Sequence, residues 1–123
     1  MADAAARRAA HDRGLAAEDR AAALLVAQGF AILARRARTK AGEIDLVARR
    51  DALIVFCEVK VRPTLDGAAH SILPRQRRRI AAAAEAWLAA HPDLALLDAR
   101  FDAILVATSG AVEHLSGAFE MEV

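Results

Sequence analysis

Two apolar segments joined by a short polar turn constrain this fold more than any other feature of the chain. Residues 42–62 read GEIDLVARRDALIVFCEVKVR, and their branched and aromatic side chains are typical of two β-strands. The polar residues 49–51 between them predict an antiparallel hairpin. Three charged residues, Asp45, Glu58 and Lys60, interrupt the apolar strands, and each needs a compensating partner or a function.

Alternation along the hairpin predicts that the two acidic residues converge. Glu58 and Lys60 lie two residues apart and therefore share one face of their strand. A two-residue turn at 51–52 would place Asp45 directly opposite Glu58, and a shift of two residues would keep both on the same face. Two carboxylates placed directly opposite each other destabilise a sheet unless a cation compensates their charge. Mg²⁺ is a suitable cation, because it is usually bound by one or two carboxylates together with water and substrate phosphate. Lys60 can then orient a water molecule or stabilise developing negative charge.

The alternative interpretation is a hairpin with one solvated face that carries ordinary surface ion pairs. Two observations argue against it. Ile54 and Phe56 share the face of Glu58, so this face is not uniformly polar. Among 17 basic residues only Lys40 and Lys60 are lysines, which indicates a specific use for a compact ammonium group at position 60.

An inward-facing acid is predicted on the first helix. Apolar residues recur at helical spacing from Leu15 to Gln28, and Gly29 follows as a stop signal. Glu18 lies on the same stripe and is expected to face the core. Its partner would be the hairpin's metal ion or a basic group near the hairpin; alternatively, Glu18 caps the first helical turn.

Arginine clusters indicate an anionic partner. A predicted strand at 30–37 ends in a basic turn, and residues 75–79 place four arginines in the first turns of a second helix that begins near Pro74. Cations are unfavourable there for the helix itself, whereas free N–H groups and guanidinium groups bind phosphate. Gln76 could contact a phosphate or the attacking water. The alternatives are a solvated basic face and a general preference for arginine. Candidate nucleic-acid-binding residues are Arg36, Arg38, Lys40, Arg62, Arg75, Arg77 and Arg78.

Composition narrows the class of protein. With 123 residues, 56% of them hydrophobic, the chain is expected to form one domain with its own core. Its single cysteine, Cys57, excludes a disulfide framework, and no Cys/His spacing suits zinc. The sequence has no long apolar run, so it predicts neither a signal peptide nor a membrane span. A cytoplasmic protein is therefore expected. Asp102, at the start of a later strand, is expected to be structural, and the four histidines have no evident partners.

The order of these motifs resembles the YraN-like family. The resemblance rests on the inward Glu18, on GEIDL at 42–46, FCEVK at 56–60, PRQ at 74–76 and RFD at 100–102. That family comprises small bacterial proteins similar to archaeal Holliday-junction resolvases, within the PD-(D/E)xK nuclease superfamily. Residues 63–73 depart from it, because they lack the glycine-rich stretch expected before the second helix.

The resemblance implies an α/β fold with an αβββαβ restriction-endonuclease-like core, in which helices flank a mixed central sheet. It implies Asp45, Glu58 and the Val59 carbonyl as ligands for Mg²⁺ or Mn²⁺, with Lys60 as the catalytic lysine and Glu18 as an accessory acid. The nuclease-like domain is expected at 14–116, between a flexible N-terminal segment at 1–13 and a C-terminal tail at 117–123.

The functional hypothesis is therefore a metal-dependent endonuclease that acts on DNA rather than RNA, with branched DNA as a candidate substrate in repair or recombination. Junction resolvases are dimers, since a four-way junction has two-fold symmetry, so a homodimer is expected by analogy. One alternative is a nucleic-acid-binding protein that keeps the nuclease fold without catalysis. Another is an interaction subunit whose arginines contact an acidic protein.

Overall fold

The predicted hairpin forms the middle of the sheet in a computed structural model that describes residues 3–65 and 74–119. Its strands are β2, Gly42–Arg50, and β3, Leu53–Arg62, joined by the two-residue turn at 51–52. The remaining elements, in chain order, are α1 (Ala4–Ala27), β1 (Ala31–Thr39), α2 (Pro74–Ala89), a 3₁₀ turn (Pro92–Leu94), β4 (Asp98–Ala107) and β5 (Val112–Phe119).

The five strands form one mixed sheet whose spatial order follows the chain, β1-β2-β3-β4-β5. Neighbouring strands are antiparallel except β3 and β4, which run parallel because the chain crosses over through α2 between them. This arrangement confirms the predicted single-domain α/β fold with helices flanking a mixed sheet, and β5 adds a strand to the expected αβββαβ core.

Each face of the sheet packs against one helix, as alternation along β3 predicts. On the α2 side, Phe56 contacts Trp87 edge-on, with ring centroids 6.0 Å apart, and lies 5.8 Å from the Phe101 ring. On the α1 side, Cys57 belongs to a separate apolar cluster around Leu25. Burial of hydrophobic side chains on both faces stabilises the sheet and fixes the register of the strands that bear the charged residues.

Several element boundaries differ from the sequence-based expectations. Helix α1 begins at Ala4 rather than near Leu15, because Asp3 caps it by accepting a hydrogen bond from the Ala6 N–H at 2.8 Å. Its first residues thus lie in the segment expected to be flexible. Strand β5 reaches Phe119, beyond the start of the expected tail. Residues 66–73, most of the segment without the glycine-rich stretch, lie outside the described residues. The division at 13/14 and 116/117 stays a prediction.

Candidate active site

The two hairpin acids meet where β2 and β3 separate. The paired register of these strands ends at Leu46 and Cys57, so Asp45 and Glu58 are the next opposing positions, as a two-residue turn predicts. Asp45 does not continue the ladder. Its Oδ2 instead accepts a hydrogen bond from the Val59 N–H at 2.8 Å. One carboxylate therefore spans the fork between the strands and brings Asp45 beside Glu58.

The electrostatic environment of Asp45 opposes its ionisation. Burial, followed by repulsion from the Glu58 carboxylate, raises the pKa of Asp45 from 3.8 to about 7, although the Val59 N–H acts in the opposite direction. The two carboxyl groups are close enough to hydrogen-bond when one is protonated. Near neutral pH Asp45 therefore holds a proton or needs a cation, and its position beside Glu58 is the convergence that the sequence predicts.

Lys60 supplies part of the compensating charge. Its Nζ lies 3.0 Å from Glu58 Oε1, and both side chains are largely buried. A charge pair that is removed from water interacts more strongly than one on the surface, because solvent screens it less. Glu58 therefore has a nearby cation of its own, whereas among the described residues Asp45 is paired with a backbone N–H and with the second acid.

Glu18 lies on the α1 side of the fork and is paired with Arg36. It is 8% exposed, which confirms the prediction of an inward-facing acid. Arg36 Nε donates to both of its carboxylate oxygens, at 2.8 Å to Oε2 and 3.2 Å to Oε1. The partner is therefore a basic group beside the hairpin, one of the alternatives left open above. The capping alternative is wrong, because α1 begins fourteen residues before Glu18 and Asp3 is its cap.

The residues at the fork are suited to a cation bound by two carboxylates. Within residues 3–65 and 74–119, no group of three or more His, Cys, Asp or Glu side chains is arranged to hold a metal ion. In an extended strand, the N–H and C=O groups of one residue point toward the same neighbour. The Val59 carbonyl is therefore directed, like its N–H, to the side of Asp45, where β2 has left the ladder.

Comparison with protein families identifies the group to which the chain belongs. The model of the family described as "Uncharacterised protein family UPF0102" matches residues 17–106, a span that includes Glu18, Asp45, Glu58 and Lys60. The chain belongs to this family, the YraN family. The resemblance inferred from the motifs is confirmed at the level of the family.

Individual members of the YraN family match over almost the whole chain. A UPF0102 protein of Azorhizobium caulinodans is 68% identical over 116 residues, which cover 94% of this chain and 88% of the relative. A UPF0102 protein of Bradyrhizobium sp. is 58% identical over 114 residues, which cover 93% of this chain and 81% of the relative. A UPF0102 protein of Rhodopseudomonas palustris is 57% identical over 115 residues, which cover 94% of this chain and 88% of the relative.

In this YraN-family chain, several predicted nucleic-acid-binding residues lie at the same end of the sheet as the acids. Arg38 near the end of β1 and Lys40 in the β1–β2 turn lie seven and five residues before Asp45, and both are exposed. Arg38 makes a 3.5 Å ion pair with Glu43. Arg62 ends β3, two residues beyond Lys60, and its Nη1 donates to the Val61 carbonyl at 2.8 Å.

The basic start of α2 adjoins this end as well. A Cβ on Gly42, the first residue of β2, would lie 3.1 Å from Arg79 Cγ, so α2 approaches the strand three residues before Asp45. Arg75 and Arg78 are exposed on the first turns of the helix. Two further predicted residues, Gln76 and Arg77, are half-buried there. Arg36 differs from the other candidates because its Nε is engaged by Glu18.

A second polar cluster surrounds the fully buried Asp102, and the sequence predicted only part of it. Its carboxylate accepts two hydrogen bonds from Arg100, at 2.8 and 2.9 Å, and one from the Gly117 N–H at 3.0 Å. His114 Nε2 lies 2.7 Å away. Burial alone would raise the pKa of Asp102, but these hydrogen bonds hold it below its ordinary value. These contacts agree with the predicted structural role of Asp102, and they identify Arg100 as a partner; the role of His114 had no signal in the sequence.

Neither α1 nor α2 combines sufficient length with sufficient hydropathy to cross a bilayer.

Proposed function

We propose that this protein is a divalent-metal-dependent endonuclease that acts on DNA. The observation that supports this proposal most is the fork at Asp45 and Glu58, where two carboxylates converge inside an apolar sheet beside Lys60. A protein that only binds a polyanion gains nothing from such a pair, because buried like charges destabilise the fold and repel phosphate. Membership of the YraN family agrees with the proposal, although the family name states no activity.

The chemistry of the fork fits Mg²⁺ or Mn²⁺. The raised pKa of Asp45 reflects a carboxylate that lacks a compensating charge, and a divalent cation between Asp45 and Glu58 would supply it. Asp45, Glu58 and the Val59 carbonyl would hold the ion, and water and substrate phosphate would complete its coordination, as Mg²⁺ usually requires. When bound, the metal would lower the pKa of a coordinated water and neutralise charge on the scissile phosphate.

Lys60 is the proposed catalytic lysine. Its ammonium group is held 3.0 Å from Glu58 and is mostly shielded from solvent. From there it can orient the attacking water or stabilise the charge that develops on the phosphate oxygens, and partial burial strengthens both effects. Glu18 as an accessory acid and Gln76 as a phosphate or water contact stay predictions from the resemblance and the sequence.

The proposed substrate is the DNA backbone. Exposed basic side chains at the β1–β2 turn and on the first turns of α2 lie at the end of the sheet that contains the fork. Together they would neutralise several phosphates, and affinity should therefore fall steeply with salt. Branched DNA, a homodimer matched to two-fold symmetric junctions and a cytoplasmic location are parts of the same proposal, by analogy with the resolvase-like family.

Cleavage of end-labelled DNA tests the proposal. A four-way junction, a flap, a duplex and a single strand are incubated with the protein and Mg²⁺ or Mn²⁺, or with EDTA. We expect metal-dependent cleavage that disappears in Glu58→Gln and in Lys60→Ala. Glu85→Gln, which alters an exposed acid on α2, is the matched control and should cleave as the wild type does.

The principal alternative is a nucleic-acid-binding protein that keeps this fold without catalysis. The observation that favours it is that the described residues place no third acidic side chain with Asp45 and Glu58. If the wild type and Glu58→Gln are equally inactive with every substrate and metal, yet both bind DNA in a salt-dependent manner, the alternative replaces the nuclease proposal.

A further inference from the structure

Arg36 adopts a backbone conformation that is unusual for its position. It lies within β1 with φ of 52°, in the left-handed region that residues with a Cβ rarely occupy. Asp51 also has a positive φ, but it lies in the tight turn of the hairpin, where this conformation is common. Strained residues of this kind persist where surrounding structure enforces them, and they concentrate at functional sites.

The conformation directs the Arg36 side chain toward α1. Ala34 and Ala37 both pack in the apolar cluster on the α2 side, so the alternation of β1 is broken between them. The break lies at Arg36, whose side chain reaches Glu18 on the opposite side of the sheet. The neighbouring register pairs, such as Ala37 with Ile44, place Arg36 across from Asp45. The unusual backbone thus positions a guanidinium group beside the proposed metal ligand.

Glu18 uses only one nitrogen of this guanidinium. Both hydrogen bonds run from Nε, and the side chain of Arg36 remains 36% exposed. A guanidinium that is anchored through Nε and remains partly exposed is preorganised to bind a phosphate through its Nη groups.

We infer that Arg36 binds a backbone phosphate of the substrate next to the scissile one, and that Glu18 is a positioning residue that holds Arg36 for this contact. The inference rests on the proposed function and assigns Glu18 a role different from that of an accessory acid. Both Glu18 oxygens accept from Arg36, and no third metal-binding side chain joins the hairpin acids in the described part of the chain. An exposed arginine without such an anchor would lose more side-chain entropy on binding phosphate.

A double-mutant cycle separates the two roles of Glu18. DNA affinity is measured by fluorescence anisotropy in EDTA, so that cleavage does not interfere, for Glu18→Gln, Arg36→Gly and the double variant. Glycine accepts the left-handed conformation at position 36, so this variant removes the guanidinium without straining the backbone. We expect each single variant to weaken binding about tenfold, and the double variant to bind no more weakly than Arg36→Gly.

Two further measurements give readouts that a purely structural role would not change. Mn²⁺ affinity, measured by calorimetry in the absence of DNA, should be the same in Glu18→Gln and the wild type. In cleavage assays Glu18→Gln should raise KM and leave kcat intact. Arg49→Gln, at the opposite end of β2, is the matched control and should retain DNA affinity.

The outcomes distinguish this inference from the proposed function. If Glu18→Gln retains DNA affinity but loses Mn²⁺ affinity or kcat, Glu18 is an accessory acid and the inference is wrong. If the effects of Glu18→Gln and Arg36→Gly multiply, Arg36 does not act through Glu18 and the inference also fails, while nuclease function stands. If the wild type neither binds nor cleaves DNA, the proposed function fails and the inference with it.

Discussion

Replacement of Asp45 by asparagine should stabilise the metal-free protein, and the gain should grow with pH. Asp45 has its pKa raised from 3.8 to about 7 by burial and by Glu58. A carboxyl group with a raised pKa in the folded state favours folding while it is protonated. This advantage is complete below about pH 4 and is lost as the pH rises through about 7.

The magnitude follows from the shift in pKa. A difference of about three units corresponds to about 4 kcal/mol of unfolding free energy once Asp45 is fully ionised, at about 1.4 kcal/mol per unit. Asparagine cannot ionise, and its side-chain oxygen can still accept the hydrogen bond from the Val59 N–H. In EDTA, Asp45→Asn should therefore match the wild type near pH 4 and exceed its stability by up to about 4 kcal/mol at pH 8.

Urea denaturation followed by circular dichroism, from pH 4 to 8.5, measures this difference. Asp51→Asn removes one carboxyl charge from the exposed hairpin turn and controls for the change in net charge. Added Mg²⁺ should raise the unfolding free energy of the wild type at pH 8 but not that of Asp45→Asn, because a ligand stabilises only the state that binds it. A stability difference between Asp45→Asn and wild type that does not vary with pH would refute the electrostatic account of the fork.

Three further predictions concern stability and are checked by the same denaturation assay. Arg36→Ala should be about 1–2 kcal/mol less stable than Arg36→Gly, because both lack the guanidinium and only alanine is strained at φ of 52°; equal stability would contradict the strain. Asp102→Asn should lower the unfolding free energy by about 3 kcal/mol near neutral pH, because it removes the buried charged partner of Arg100. The pKa of Asp102 is lowered in the folded protein, so the wild type loses this stabilisation as the pH falls, and the difference between variant and wild type should shrink in acid. Gly42→Ala should lower the unfolding free energy by about 1–2 kcal/mol, because φ at Gly42 is 146° and the added Cβ would crowd the Arg79 side chain. An unchanged urea midpoint would exclude that contact.

The hairpin could be predicted from sequence because short-range rules determine it. Strand alternation and a two-residue turn suffice to pair Asp45 with Glu58, and the apolar residues on both faces leave one register that buries them. The inward direction of Glu18 follows in the same way from helical spacing. The start of α1 was predicted too late, because residues 4–13 are exposed and give no burial pattern. Asp3 followed by an alanine-rich segment was the available signal, since aspartate is a favoured N-cap and alanine the best helix former.

Other features depend on contacts that no local pattern encodes. The left-handed Arg36 is not marked by a glycine or asparagine, and its pairing with Glu18 joins residues 18 positions apart. His114 meets Asp102 only because β5 folds back on β4 with a register irregularity near Phe101, which brings the Gly117 N–H to the same carboxylate. Pairing between distant strands and helices decides these contacts, so sequence could predict the side-chain types but not their partners.

The half-buried Asp45 and the fully buried Asp102 show why the fork, rather than the Asp102 cluster, is the better candidate for function. Both lie among apolar residues, and burial alone raises the pKa of each. At Asp102 the protein supplies an arginine, a histidine and a backbone N–H, and the pKa ends below its ordinary value. At Asp45 it supplies one backbone N–H and a second acid, and the pKa ends near 7. The same fold can thus neutralise a buried carboxylate fully and does not do so at the fork. A carboxylate pair that a single lysine balances only in part, near exposed arginines, would be completed by an external divalent cation together with a phosphate.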